Sequence, residues 1–375
     1  MKERILQLLV CPACHRKLTL DTFSKENGEI REGLLECGCG EWFPVTRFVP
    51  RMLLGEYRGD YRRFLAKHGL KRLKKAKPPK GYRSPKTQVQ KSFSSKWTSQ
   101  PLWGTQGETK EFMKEWMLNK YGWGNLKSLR ESLESRRFIL DAGTGLGREA
   151  IQFAELCTAG DVFGIDLSEA VDAAYANTRV HPNIHIIQAD IMNLPFRRRV
   201  FDFIYSEGVL HHTPNTQSAF HALAFHLAPK GEIALYVYRK KGPIREFCDD
   251  YLRQFTTLLS EEECWAFSRR ITQFGKSLSD LRIEFEIPED IPFLGIKAGK
   301  HSLQRFVYYH ILKCFWNDRF TFDENNLINF DWYHPAHAWR HTSEEVNRWC
   351  SKNNLETIWC SEEESGITFR CRRIR

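Results

Sequence analysis

The chain has 375 residues, of which 42% are hydrophobic and 13% aromatic, which is enough apolar material for two or three folded units and excludes a disordered protein. No apolar stretch approaches the length that spans a bilayer, and no secretory signal pattern is present, so we expect a soluble, cytoplasmic protein. The net charge of +10 is local, because the segment from Arg58 to Lys86 holds twelve Lys or Arg and one acid, Asp60.

Residues 1 to 55 predict a small unit with two cysteine pairs, Cys11 with Cys14 and Cys37 with Cys39. The other seven cysteines are scattered singly, which favours reduced thiols. A unit of this size cannot bury a large apolar core, and four clustered thiolates suit a tetrahedral zinc ion that would supply the missing stability. The alternative is that the four thiols pack without metal.

Residues 56 to 87 predict a basic helix followed by a linker, since Tyr61, Phe64, Leu65 and His68 follow helical spacing. The positive charges from Arg58 to Lys86 could bind a nucleic-acid backbone, with nearby aromatic rings stacking on bases. A solvated helix and linker explains the same pattern equally well.

Residues 88 to 239 predict an α/β domain with a doubly wound, mostly parallel, seven-stranded sheet that the end of the chain completes. A run that is rich in aromatic residues, 88–121, is expected to pack on this domain. Alternation of short apolar runs with helical patterns indicates a parallel sheet with helices on both faces. The predicted strands are 138–140, 162–165, 184–187, 201–205 and 233–238.

Residues 240 to 335 depart from this alternation and predict an inserted helical lid beside the ligand crevice. The domain then continues over residues 336 to 375, where Thr342 and Glu345 form a capping-box signature at the start of a helix. Two further apolar runs, 355–360 and 367–371, predict a final pair of strands.

The loop after the first predicted strand runs from Asp141 to Gly147 and holds glycines at 143, 145 and 147. A dinucleotide site wants its third glycine at the position of Arg148, so the spacing disfavours NAD and leaves an oxidoreductase as a distant alternative. Asp166 and Asp190 follow the second and third strands. Because the carboxyl ends of parallel strands meet at one edge of a sheet, these acids are expected to converge with Asp141 on one crevice.

These motifs resemble those of the class I Rossmann-like methyltransferases, which use S-adenosylmethionine. The run from Ile139 to Gly147 is similar to their first motif, and the run from Gly164 to Ser168 is similar to their acidic second motif. The resemblance implies contacts with the methionine moiety, the ribose, the adenine and the acceptor side. Gly143, Thr144 and Gly145 would contact the methionine moiety, and Asp166 and Leu167 would contact the ribose. Asp190 and Ile191 would contact the adenine, and Ser206 and Glu207 would border the methionine and the acceptor.

The N-terminal unit resembles the zinc-ribbon-like domain known as a methyltransferase activator, which also occurs as a separate partner of RNA- and protein-modifying methyltransferases. The similar segments run from Leu8 to Cys14 and from Cys37 to Val45. The second cysteine pair departs from the commoner Cys-x-x-Cys spacing, and some relatives lack metal.

Methyl transfer to an oxygen or nitrogen can need a general base, and the histidines nearest the predicted crevice are His211, His212, His334 and His337. A structural or surface role is the alternative for each. The leading hypothesis is O-methylation of a small molecule or saccharide beneath the inserted region. The alternatives are an RNA methyltransferase that uses the basic segment, and an adaptor that binds cofactor without turnover.

Overall fold

The computed structural model describes residues 1–70, 73 and 84–374, and part of the predicted basic segment, residues 71–72 and 74–83, lies outside the described residues. The chain forms a small antiparallel sheet, a seven-stranded sheet and a helical region between two strands of the larger sheet. None of the helices in the described ranges has the length and apolar composition that crossing a membrane requires.

The small sheet is an antiparallel meander in which each strand pairs with the next. Its strands are β1 (Leu18–Glu26), β2 (Glu29–Cys37), β3 (Trp42–Thr46) and β4 (Val49–Pro50). Asn27 and Gly28 join β1 to β2 with φ values of 51° and 76°. Two successive left-handed residues suit the tight hairpin turn that matches strand twist, and Asn-Gly is the preferred pair there.

In the described part of the chain, four α-helices lie between the small sheet and the larger one. They are α1 (Arg62–Lys67), α2 (Pro85–Ser99), α3 (Gly107–Lys120) and α4 (Leu126–Leu133). Ser84 caps α2 by accepting a hydrogen bond from the Thr87 amide at 3.3 Å, and Pro85 takes the first helical position, where its missing N–H costs nothing. The aromatic run predicted to pack on the next domain lies on α2, α3 and the loop between them.

Five parallel strands make up most of the larger sheet, and each contains one of the five predicted apolar runs. The elements here are β5 (Phe138–Ala142), α5 (Arg148–Leu156), β6 (Asp161–Asp166), α6 (Ala170–Thr178), β7 (Ile184–Gln188), β8 (Phe201–Glu207), α7 (Thr216–His226) and β9 (Leu227–Tyr238). All five residues of β7 are buried. Continuous burial follows from covering both faces of a parallel sheet.

The inserted region follows β9 and contains a helical cluster with one hairpin. Its elements are α8 (Pro243–Thr256), α9 (Glu261–Asp280), β10 (Glu284–Ile287), β11 (Gly299–Ser302), α10 (Leu303–His310) and α11 (Phe322–Tyr333). Capping boxes start α9, at Ser260 and Glu263, and α11, at Thr321 and Glu324. The two helices lie side by side, and the rings of Trp265 and Phe330 stack between them at 3.9 Å.

The chain ends with α12 (Ser343–Lys352), β12 (Leu355–Glu362) and β13 (Gly366–Arg373). The capping box predicted at Thr342 and Glu345 forms at the start of α12. The last two strands join antiparallel to β9, which gives the order β12-β13-β9-β8-β5-β6-β7. The predicted α/β class and the seven-stranded, mostly parallel sheet are thus confirmed.

The small sheet packs against the edge strand β7 of the larger one. The Met52 amide donates to the Gln188 carbonyl at 2.8 Å, and the Val10 amide donates to the Pro195 carbonyl at 2.9 Å. Arg51 is only 3% exposed and donates to Asp172 at 2.5 Å. Apolar side chains of both sheets share one core, so the N-terminal unit covers an edge that would otherwise be open to pairing.

Candidate active site

The order of strands reverses between β5 and β8, because the chain builds β6 and β7 on one side of β5 and β8 and β9 on the other. Ligands of open parallel sheets bind outside the carboxyl ends of the strands at such a point. The Asp141–Gly147 loop leaves β5 there, and Glu207 ends β8 beside it.

The glycine-rich loop is fixed to the neighbouring strand by its own backbone. The amides of Gly143 and Thr144 both donate to the Ile165 carbonyl at 2.8 Å. Gly143 has a φ of 91°, and a Cβ there would lie 2.2 Å from a Val209 methyl, so only glycine fits. The Gly145 amide donates to Asp166 Oδ2 at 3.0 Å. This loop therefore holds a fixed shape at the base of the crevice.

Asp141 is a buried carboxylate that forms no ion pair with a described Lys or Arg. It is 2% exposed, and Thr144 Oγ1 donates to its Oδ2 at 2.6 Å. Burial, with the charge of Glu149 added, raises the pKa of Asp141 to about 8. A cationic ligand beside this group would favour its ionised form, so the position suits a positively charged partner.

Asp166 and Asp190 stand at the ends of β6 and β7 with part of their hydrogen-bonding capacity in use. Asp166 Oδ1 accepts from the Ser168 amide at 2.8 Å, and Asp190 Oδ1 accepts from the Met192 amide at 2.9 Å. Burial raises the pKa of both carboxyl groups. Each carboxylate oxygen can accept two hydrogen bonds, so both groups can still bind ligand hydroxyl or amino groups.

The three acids line one cavity of about 480 Å³, which extends from the crevice beneath the inserted region. Its size is within the ordinary range for small-molecule and cofactor sites. Eleven of the predicted site residues line this cavity: Asp141, Gly143, Thr144, Gly145, Asp166, Leu167, Asp190, Ile191, Glu207, His212 and His337.

Four other predicted site residues do not line this cavity. Ser206 is fully buried and donates to the Ala142 carbonyl at 2.9 Å, between strands. Gly147 is the N-cap of α5, and a Cβ there would lie 2.6 Å from a Thr178 methyl. His211 is fully buried against the ring of Tyr238, and His334 hydrogen-bonds to Ser92 at 2.8 Å. All four are buried in protein packing, and the sequence pattern does not show on which side of the backbone such packing lies.

His212 is the predicted histidine whose ring is best placed for proton transfer. Its Nδ1 donates to the His337 carbonyl at 2.6 Å; a carbonyl only accepts, so the proton is on Nδ1 and Nε2 carries a free lone pair. Nε2 is buried and has no hydrogen-bond partner among the described residues. Burial lowers the pKa of His212 to about 4, while the nearby charge of Asp331 opposes this shift. The ring is therefore neutral at physiological pH.

His337 also lines the cavity, and its ring stacks on Trp339 at 5.9 Å. Burial lowers the pKa of this histidine, so it too is a neutral group near the site. Its carbonyl fixes the orientation of His212, which makes the backbone of His337 as relevant to the site as its ring.

Glu207 lies on the cavity wall, but its carboxylate is already engaged by the protein. Lys120 pairs with it, and the hydroxyls of Tyr121 and Tyr205 donate to it at 2.7 and 3.2 Å. Burial lowers the pKa of Lys120 to about 8, although the charge of Glu207 opposes the shift. A ligand that contacts Glu207, as predicted, would share its carboxylate with these three protein groups.

Several cavity residues were not predicted individually. Lys96 pairs with Asp331 at 3.2 Å and lies 4.2 Å from the centre of the Trp97 ring. Trp97 in turn lies against Gly145, and Arg148 lies over Trp103 at 5.3 Å. The aromatic density of residues 88–121 signalled this packing, but nothing in the pattern indicated which rings face a ligand.

The four cysteines predicted as metal ligands come together at one end of the small sheet. Their sulfur atoms all lie within 4.8 Å of one another, with 3.7 Å between Cys11 and Cys39 and 3.4 Å between Cys14 and Cys37. A tetrahedral zinc ion with Zn–S bonds of about 2.3 Å would hold its sulfur ligands about 3.8 Å apart. The donor set and its spacing therefore fit zinc.

The described part of the basic segment is largely paired with acids. Arg58 pairs with Glu41, Arg62 with Asp60 at 2.5 Å, Lys67 with Glu32 at 2.6 Å and Lys86 with Glu56 at 3.7 Å. Exposed pairs contribute little to stability, but they reduce the positive field that a phosphate backbone would meet. Most of the remaining positive charges lie outside the described residues.

The strand order and the acid-lined crevice define a Rossmann-like α/β ligand-binding domain. Residues 139–231 match the family model described as a methyltransferase domain. The chain is 36% identical over 104 residues to the 27-O-demethylrifamycin SV methyltransferase of Amycolatopsis mediterranei, covering 26% of this chain and 37% of that protein. It is 28% identical over 133 residues to the probable tRNA methyltransferase 9B of Bos taurus, covering 35% of this chain and 28% of that protein.

Among solved structures, the chain is similar to magnesium protoporphyrin IX methyltransferase from Synechocystis PCC 6803 with bound S-adenosylhomocysteine. The TM-score is 0.42 with 14% identity, over 77% of this chain and 100% of that one. The chain spans only 26% to 37% of the length of the curated relatives that it matches. The sequence matches support a methyltransferase domain that contains the glycine-rich loop, Asp166 and Asp190.

Proposed function

We propose that this protein is an S-adenosylmethionine-dependent methyltransferase whose acceptor is an oxygen of a small molecule or saccharide. The observation that carries the proposal is a single cavity that contains both the three acids of the crevice and the residues of the inserted region. A cavity of about 480 Å³ that is lined in part by the inserted region suits a small acceptor better than a macromolecule.

The crevice suits the donor in its charge and its hydrogen-bonding groups. Bound S-adenosylmethionine would supply a methyl carbon on a positively charged sulfur. Asp141 would lie near this cationic ligand, which favours its ionised form. Asp166 Oδ2 retains acceptor capacity for a ribose hydroxyl, and Asp190 retains it for the adenine amino group.

On the acceptor side, His212 supplies the base. Its Nε2 lone pair accepts the proton of an acceptor hydroxyl, and the bond from Nδ1 to the His337 carbonyl holds the ring in position. The charge of Asp331 stabilises the protonated ring. Residues of the inserted helices line the cavity, so an acceptor that fills it would displace water from beside the methyl group.

Titration of the full chain with S-adenosylmethionine tests the donor. Asp166→Asn keeps the shape of the side chain but removes its charge, and a hydrogen bond to a charged group contributes about 1.5–3 kcal/mol. We expect the variant to bind about 10- to 100-fold more weakly. Glu134→Gln, an exposed acid at the end of α4, serves as the control and should bind like the wild type. Undetectable binding by the wild type, or equal affinity of Asp166→Asn, rejects the proposal.

Transfer of labelled methyl from S-adenosylmethionine to fractions of a cell extract tests the acceptor. Label in the small-metabolite or polysaccharide fraction supports the proposal, and loss of that label in His212→Asn supports the base. Cofactor binding without label in any fraction would instead indicate an adaptor.

An RNA acceptor is the second candidate, and two observations favour it: the name of the bovine relative and the charge of the segment from Arg58 to Lys86. This candidate requires tRNA binding that weakens steeply with salt, because phosphate contacts release counterions. Neutralising the lysines from Lys71 to Lys77 should then weaken binding further. No tRNA binding at low salt would remove this candidate.

We also propose that Cys11, Cys14, Cys37 and Cys39 bind a structural zinc ion, supported by the spacing of their sulfur atoms. Metal analysis of the purified chain, compared with Cys11→Ser, tests this. One equivalent of zinc is expected in the wild type, and its absence would leave the cysteines as unligated packing.

A further inference from the structure

Two cations of the inserted region face the cavity without a carboxylate partner among the described residues. Lys313 follows α10 and is 6% exposed, and Arg305 lies on α10 and is half-buried. Both line the cavity that holds the proposed cofactor crevice. A buried ammonium group without a counter-ion is costly, so this arrangement requires an explanation.

The two cations lie near the same two aromatic rings. Lys313 Nζ lies 5.2 Å from the centre of the Tyr308 ring and 5.7 Å from that of Phe315. The Arg305 guanidinium lies 5.9 and 5.8 Å from these same two rings. The only hydrogen bond of Lys313 Nζ in the described structure is to the Tyr308 hydroxyl at 3.3 Å. An ammonium has three donors, so Lys313 can still bind an anion.

The nearby acids are engaged by other cations. Asp331 pairs with Lys96 at 3.2 Å, and Asp249 pairs with Arg245 at 2.7 Å. The charge of Glu363, a further acid on the cavity wall, acts on Lys120. Burial and the charge of Arg245 lower the pKa of Lys313 to about 7, which agrees with an ammonium group that lacks a counter-ion.

This pair lines the same cavity as the proposed base. Asp331 lines this cavity too, and its charge opposes the lowering by burial of the pKa of both His212 and Lys313. A ligand whose anionic group binds Lys313 and Arg305 would contact Tyr308 and Phe315 in the cavity that His212 also lines.

We infer that Lys313 and Arg305 form an anion-binding subsite that holds a carboxylate or phosphate group of the methyl acceptor. This inference rests on the proposed function, because it names the class of acceptor for the same cavity. The planar guanidinium of Arg305 suits two oxygens of one anion, and Lys313 adds a point charge from the buried side.

Calorimetric titration of the full chain with benzoate, phenyl phosphate and neutral benzamide tests the subsite without requiring turnover. We expect benzoate or phenyl phosphate to bind the wild type at least about tenfold more tightly than benzamide. Binding of one anion and not the other identifies the group as carboxylate or phosphate. Equal binding of all three probes, or binding of none, overturns the inference.

The variants Lys313→Met and Arg305→Met should each lose the preference for the anion, whereas Lys300→Met, which changes an exposed lysine on β11, should keep it. Arg305 is half-buried, so its variant remains informative if Lys313→Met fails to fold. A preference that survives in Arg305→Met and in folded Lys313→Met overturns the inference. S-adenosylmethionine is titrated separately, so a failure of the proposed donor is distinguished from a failure of the anion subsite.

Discussion

The environment of His212 predicts a pH dependence of stability that can be measured without knowing the acceptor. The ring is 4% exposed, and burial lowers its pKa from an ordinary 6.5 to about 4. Because the folded state then binds fewer protons than the unfolded state, the stability due to the neutral ring is complete above pH 6.5 and is lost as the pH falls towards 4.

The variant for this measurement is His212→Asn, whose amide can still donate to the His337 carbonyl but does not titrate. From the two pKa values, the free energy of unfolding of the wild type should fall by about 2 kcal/mol more than that of the variant between about pH 7.5 and about pH 5. Urea unfolding at both values, without cofactor, measures this difference. At the higher pH, the difference in the free energy of unfolding between the two proteins reports the packing that the smaller side chain loses.

Other titrating groups cancel in this comparison, because both proteins contain them. Parallel pH profiles for the wild type and His212→Asn would refute the reasoning. They would mean that the ring reaches solvent and titrates normally, and that its Nε2 is not the desolvated acceptor on which the proposed base depends.

Three further predictions concern other parts of the chain. Binding of S-adenosylmethionine near pH 7 should release a proton from Asp141, because its pKa of about 8 falls beside a cation; binding heats should depend on the buffer in the wild type and not in Asp141→Asn. Arg51→Met should lower the free energy of unfolding by about 1.5–3 kcal/mol, since it removes a charged hydrogen bond and leaves Asp172 paired, among the described residues, only with the exposed Arg47. Arg31→Met, from an exposed pair, should cost less than about 1 kcal/mol in the same urea titration. A zinc chelator should increase amide hydrogen exchange in β1 to β3 before it does so in β5, and equal effects on both would contradict a structural metal in the small sheet.

The central sheet was predictable because its residues satisfy one physical demand. Parallel strands covered on both faces need continuous apolar runs, and the five such runs between residues 138 and 238 became β5 to β9. The convergence of Asp141, Asp166 and Asp190 followed from the same geometry, since parallel strands end at one edge. These inferences needed only short-range pattern and chain order.

The acceptor side could not be predicted, because it depends on contacts between distant segments. His211 and His212 are adjacent in sequence, yet one packs against Tyr238 and the other lines the cavity. Lys313 has no local signal at all; its position follows from the fold of the inserted region, which no periodicity in the sequence specified. Single histidines and lysines acquire their roles only when the chain is folded.

The attachment of the small sheet to β7 also has a consequence for the order of folding during synthesis. Two backbone bonds, from Met52 to Gln188 and from Val10 to Pro195, flank the segment that carries Asp190. Arg51 and Gln188 are 137 residues apart, which corresponds to a delay on the order of 10 s at ribosomal speeds. The small sheet is therefore complete well before the strand that covers it, and its apolar face stays exposed until that strand emerges. The adenine side of the crevice acquires its support only when these two distant parts of the chain meet.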